Sequence, residues 1–88
     1  MPPFRWDFAG EAVLHEVDKA PPEVRTEFAL LMDRLTRNPR DRRAGVRPLK
    51  AAPGGHTAPF DQAILVYRVL ADYPRIELLH VVWISPEA

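Results

Sequence analysis

Proline placement constrains this chain more than any other feature. Pro21-Pro22 and Asn38-Pro39 bracket a stretch free of proline and glycine, in which Val24, Phe28, Leu31 and Leu35 recur at helical spacing with Met32 beside them. Proline suits the first turn of a helix, where its missing N–H has no partner to lose. It cannot continue a helix, and it pushes the residue before it out of helical geometry. The stretch therefore reads as one amphipathic helix ending at Asn38-Pro39, with Arg25, Glu27, Asp33 and Arg34 off its apolar stripe.

Upstream, Val13, Leu14 and Val17 give a second apolar stripe, with Glu11 in the first turn and Pro21-Pro22 as the stop. A break of a few residues between two such helices predicts an antiparallel hairpin over about residues 9–37. Before it, Phe4-Arg5-Trp6-Asp7-Phe8 alternates apolar and charged residues, the period of a short strand.

Residues 40–59 hold Pro48, Pro53, Gly54, Gly55 and Pro59, and are expected to be irregular. Val46 and Leu49 would anchor this segment, and its arginines would line one side of a sheet. His56, in the glycine loop, is expected to be exposed. Ala63 to Leu70 is rich in branched and aromatic residues, Asp72-Tyr73-Pro74 suits a turn, and Ile76 to Ile84 is apolar except for Glu77 and His80. Two such runs joined by a short turn predict a hairpin. Apolar residues on both of its faces predict a sheet covered on both sides, by the helices and by a partner chain. The fold class is α+β: an N-terminal strand, an antiparallel helical hairpin, then a mainly antiparallel sheet.

With 88 residues, the chain reads as a single domain, 1–88, that buries about 60–65% of its unfolded surface, so its core is thin. It has no cysteine, which excludes a disulfide framework and thiolate metal sites. Charges interrupt the first residues, unlike a signal peptide, and no apolar run approaches the ~18–20 residues of a membrane helix. A cytosolic protein without a membrane partner is expected.

The net charge is zero but sorted. Residues 1–33 carry −4, residues 34–50 carry +6 and residues 51–88 carry −2. Such asymmetry points to an anionic partner for the middle segment, or to cations collected at an exposed helix end that favours them.

Three stretches carry a family likeness: Leu35-Thr36-Arg37-Asn38-Pro39; Val46-Arg47-Pro48-Leu49-Lys50; and Phe60-Asp61 through Val66-Tyr67-Arg68-Val69-Leu70 to Ile76-Glu77-Leu78-Leu79-His80. In this order they resemble the RelE/ParE toxin superfamily of type II toxin–antitoxin systems, chiefly its HigB-like and RelE-like branches. The resemblance implies a toxin neutralised by a cognate antitoxin, and an endoribonuclease that cleaves mRNA on the ribosome and so inhibits translation. It leaves two alternatives: a ParE-like toxin that binds DNA gyrase without nuclease activity, or a catalytically inactive interaction module of the same fold.

RNA cleavage of this kind needs a group to take the proton of the attacking 2′-hydroxyl, cations for the charge growing on the phosphoryl oxygens, and a proton for the leaving 5′-oxygen. Neither metal nor cofactor is implied. At the family-like positions the resemblance leaves Arg47, Lys50, Tyr67, Arg68 and His80; Arg47, Lys50, Arg68 and His80 form the expected catalytic set, Tyr67 is an expected RNA contact, and the positive charge of the middle segment adds Arg40, Arg42 and Arg43 as RNA contacts. Histidine earns its place because its ordinary pKa, ~6.5, lies near neutrality.

Each residue also has a plainer reading. Arg47 and Lys50 suit a solvated loop. Arg68, alone in an apolar strand, would pair with Asp61 or Glu77. His80 would be a hydrogen-bonded structural histidine, and Tyr67 a packing residue with a polar tip. Glu11 and His15 share a helical face, but no third metal ligand accompanies them. The chain departs from the family pattern at Pro59, where an arginine is expected, and after residue 81, where 82–88 contain no Lys or Arg. The catalytic set is depleted accordingly.

Overall fold

The computed structural model describes residues 4–70 and 75–84. The elements run β1 (Arg5–Phe8), α1 (Glu11–Asp18), α2 (Pro22–Arg37), a 3-10 turn (Arg42–Ala44), β2 (Arg47–Pro48), β3 (Gly55–Phe60), β4 (Ala63–Leu70) and β5 (Arg75–Trp83). The strands form one sheet in the order β1-β5-β4-β3-β2. β1 runs parallel to β5, and every other pairing is antiparallel. The turn expected at Asp72-Tyr73-Pro74 lies outside the described residues.

Both helices begin and end where the punctuation places them. Pro22 occupies the first turn of α2, Thr26 Oγ1 donates back to the Pro22 carbonyl at 3.0 Å, and Asn38 caps the end in an extended conformation. α1 starts after Gly10 with the carboxylate of Glu11 in its first turn, where the helix dipole favours a negative charge. Three residues join the helices, and each rests on strands: α1 on β5 and β1, α2 on β3 and β1. Of the expected α1 stripe, Val13 is buried and Val17 half-buried, but Leu14 is 41% exposed. With eight residues, this helix buries a stripe narrower than its sequence offers.

Phe28 of α2 is the centre of the core. Its ring lies 5.6 Å from Trp6, 6.4 Å from Phe8 and 5.7 Å from Phe60, so α2 locks to both the parallel edge and β3. Leu31, Met32 and Leu35 continue the buried stripe over Leu65, Leu78 and Ile76 of the sheet.

Residues 40–59 are more ordered than expected. They supply β2 and β3, and Val46 is buried while Leu49 is half-buried. A strand containing Pro59 is possible because β2 pairs only with His56 and Thr57. Beyond them β3 has no second neighbour in the sheet, so the missing proline N–H breaks no ladder. Gly45 enables this approach: its φ is +83°, and a Cβ there would lie 2.8 Å from the Pro59 ring.

Helices cover one face of the sheet. Among the described residues nothing covers the other face, where Ile64, Val66 and Leu70 are half-buried and Arg68 is exposed. The helices thus supply the cover expected of them on one face.

Phe28→Ala should cost about 3–5 kcal/mol in denaturant melts, the range for removing a buried aromatic ring. Leu30→Ala, on the same helix but 56% exposed, should cost less than about 0.5 kcal/mol. Equal losses for the two would mean that α2 is not seated through Phe28.

Candidate nucleic-acid interface

Strand alternation decides which side chains reach the open face. In β4, Ala63, Leu65, Tyr67 and Val69 point to the helices, and Arg68 points away. Register then lines up the residues of neighbouring strands. Arg47 of β2 lies opposite Thr57 of β3, Thr57 opposite Val66 of β4, and Val66 opposite His80 of β5. Three strand spacings separate Arg47 from His80, about 14 Å between backbones. Two residues further along β4, Arg68 lies opposite Glu77, and Glu77 lies opposite Asp7 of β1.

His80 reaches this face through an irregularity. The β4–β5 register shifts between Val66 and Tyr67: Val66 pairs with His80, but Tyr67 pairs with Leu78. Leu79 is the extra residue. Uninterrupted alternation from buried Leu78 would turn His80 inward; the bulge instead leaves His80 exposed and returns Val81 to the core.

Ion pairs divide the cations. Arg68 donates to the Glu77 carboxylate, and Arg75 Nη2 donates to Asp7 Oδ2 at 2.8 Å. Of the two partners expected for Arg68, Glu77 is the one it takes; Asp61 sits in the β3–β4 turn with a positive φ of 48°. Arg47 and Lys50, both exposed, enter no ion pair among the described residues. Arg42 and Arg47 come together at a shallow pocket of about 320 Å³, lined also by Gly45, Val46 and Pro48. Arg42, Arg43 and Ala44 form the 3-10 turn, capped by Asp41, whose carboxylate accepts from the Arg43 N–H at 2.9 Å.

Tyr67, expected as an RNA contact, does not lie on the open face. It is fully buried, and its hydroxyl donates to the Pro39 carbonyl at 2.6 Å. Alternation, one residue before Arg68, points it into the core. Burial pushes its phenol pKa well up, and the nearby Arg40 guanidinium opposes this only in part. His56 is likewise buried rather than exposed. It stacks on Tyr67 with ring centroids 5.7 Å apart, and its Nδ1 lies 3.0 Å from the Gly54 carbonyl.

The expected set thus separates. Arg47, Arg68 and His80 share the open face, Arg42 joins Arg47 at its edge, and Arg40 lies near the buried end of Tyr67. Lys50 stands on the exposed turn after β2. Thr57, Asp7 and Arg75 belong to the same face and were not among the expected residues. The i, i+2 spacing of Arg5 with Asp7 and of Arg75 with Glu77 was the available signal. Among the described residues, no group of three or more His, Asp or Glu side chains is placed to hold a metal ion. No described helix is long and apolar enough to cross a membrane.

Tyr67→Phe should cost about 1–3 kcal/mol, because it leaves the buried Pro39 carbonyl without its donor. Burial favours the neutral phenol in the folded state. Its contribution to stability is therefore complete below the ordinary value of 10.0 and declines as pH rises above it. Melts of the parent chain should lose stability above pH ~10 more steeply than those of Tyr67→Phe. Parallel curves would remove the phenol as the cause.

Solved structures that this chain resembles include RelE proteins. The isolated RelE toxin of E. coli superposes with a TM-score of 0.80 at 20% identity, over 96% of this chain and 87% of that one. The archaeal RelE–RelB complex of Pyrococcus horikoshii OT3 gives 0.81 at 17% identity, over 94% and 97%. The toxin–antitoxin complex RelBE2 of Mycobacterium tuberculosis gives 0.74 at 23% identity, over 92% and 98%. No protein-family model matches the sequence, and no curated protein matches it. At these identities the likeness is one of fold.

Proposed function

We propose that this chain, which has the RelE toxin fold, is the toxin of a type II toxin–antitoxin pair, is neutralised by a protein antitoxin, and acts on mRNA at the ribosome. The observation that carries the reading is the open sheet face, where Arg47 and His80 stand in one cross-strand rank with Thr57 and Val66 between them. A phosphodiester laid across β3 and β4 meets a guanidinium on one side and an imidazole on the other. RelE proteins solved with RelB partners support the antitoxin.

The chemistry follows from those groups. The 2′-oxygen attacks the adjacent phosphorus and loses its proton, the P–O5′ bond breaks, and the 5′-oxygen takes a proton. His80 serves the proton transfers, since an imidazole ring carries one nitrogen that can accept a proton and one that can donate. Arg47, with Lys50 beside it in sequence, stabilises the charge on the non-bridging oxygens. Arg68 lies one rank away and is held by Glu77. That pairing favours a second reading, a gyrase-directed toxin without nuclease activity, because it removes a cation from the cleaving set.

Induced expression should arrest growth, and primer extension should map new mRNA ends. His80→Ala should lower cleavage by ~10²–10⁴. Arg47→Ala should lower it by ~10²–10³. Chelator should leave cleavage unchanged. Cleavage that chelator abolishes would overturn the metal-free route, and cleavage indifferent to both substitutions would place the site elsewhere. Arrest without any new mRNA ends would overturn the cleavage reading and move the choice to the second.

A further inference from the structure

The open face is divided by charge. Asp7 and Glu77 are register partners on β1 and β5, so their carboxylates stand on neighbouring strands about 4.8 Å apart at the backbone. Arg75 binds Asp7 and Arg68 binds Glu77. These four side chains balance to zero, and Arg5 of β1, opposite Arg75, adds one cation without a partner among the described ion pairs on that side. Across β4 the balance changes. Arg47, Lys50 and Arg42 have no carboxylate partner among the described ion pairs, and Arg42 and Arg47 line one shallow pocket.

Both pairs are substantially exposed, and exposed pairs contribute little to folding. Their effect on an approaching polyanion is larger. A phosphate that reaches Arg68 shares its guanidinium with Glu77 and lies near two carboxylates. A phosphate approaching Arg47 meets uncompensated positive charge. A surface zoned in this way steers a polyanion to one side.

On the reading that this face binds RNA, we propose that Glu77, seconded by Asp7, is a specificity-determining residue. It withholds Arg68 from the substrate and confines the RNA path to the β2–β3–β4 side of the sheet. Glu77 touches no reacting atom in this scheme; it acts through Arg68.

The test is binding of a labelled single-stranded oligouridine to the full chain across a salt series, with melts of each variant as a check on folding. Each cation engaged with a single strand adds about 0.7 to the slope of log affinity against log salt. Glu77→Gln should raise affinity at low salt and steepen the slope by about 0.7. Arg47→Ala should flatten it by about the same amount. Arg75→Ala should leave it unchanged, and the double variant Arg68→Ala/Glu77→Gln should return it to the parent value. Glu11→Gln on α1 makes the same change in net charge and should leave the slope alone.

A parent that binds RNA, with a slope that Glu77→Gln does not alter, overturns the proposal and leaves the RNA reading standing. An Arg75→Ala loss equal to that of Arg47→Ala overturns it in the same way. Binding by Glu77→Gln where the parent binds nothing supports it. No binding by either overturns the RNA reading and the proposal together.

Discussion

The hydroxyl of Tyr67, in the middle of β4, donates to the carbonyl of Pro39, twenty-eight residues earlier in the chain. Both groups are buried, so neither has water as a substitute partner, and the bond fixes where the chain leaves α2. From that point the arginine-rich segment must run beside β3. His56 stacks on the other side of the same phenol and ties β3 to the arrangement. β2 then pairs with His56 and Thr57, which sets Arg47 on the open face. The Tyr67–Pro39 hydrogen bond, with buried His56 stacked beside it, thus orders the segment that carries the chain's positive charge.

The sheet separates two kinds of chemistry. Its helix-side face is dry, with Leu65, Tyr67, Ile76 and Leu78 fully buried beneath α2. Its other face carries guanidiniums, carboxylates, an imidazole and a hydroxyl between half-buried branched side chains. A chain this small can afford one well-packed face. The charged residues of β1, β4 and β5 then serve as the polar surface of an antiparallel sheet and as material for a site.

Much of the architecture was legible from the residues. The proline brackets and the Phe28 stripe gave α2, branched residues gave β4 and β5, and the alternation of Arg5 and Asp7 gave β1. β3 was hidden because Gly55 and Pro59 read as breakers, and only a two-residue neighbour strand makes a proline there harmless. The burial of His56 depends on stacking against a strand that follows it, which no local pattern encodes. Tyr67 and Arg68 are adjacent, and telling core from site required the phase of the strand. Asp7 and Arg75 meet across sixty-eight residues of chain, through a parallel pairing that local periodicity does not announce.

The extra residue in β5 has an evolutionary side. Because Leu79 absorbs the register shift, position 80 projects outward while position 81 resumes packing inside. Chemistry and packing are thereby uncoupled over two consecutive residues. Replacing the imidazole at position 80 by another polar group would leave the buried layer as it is. Divergence could proceed there without a matching repair in the core, so descendants of one scaffold could acquire different surface chemistry by single substitutions. The same irregularity narrows what length changes the strand tolerates: losing one residue between 78 and 81 would either erase the bulge or carry Val81 out of the core.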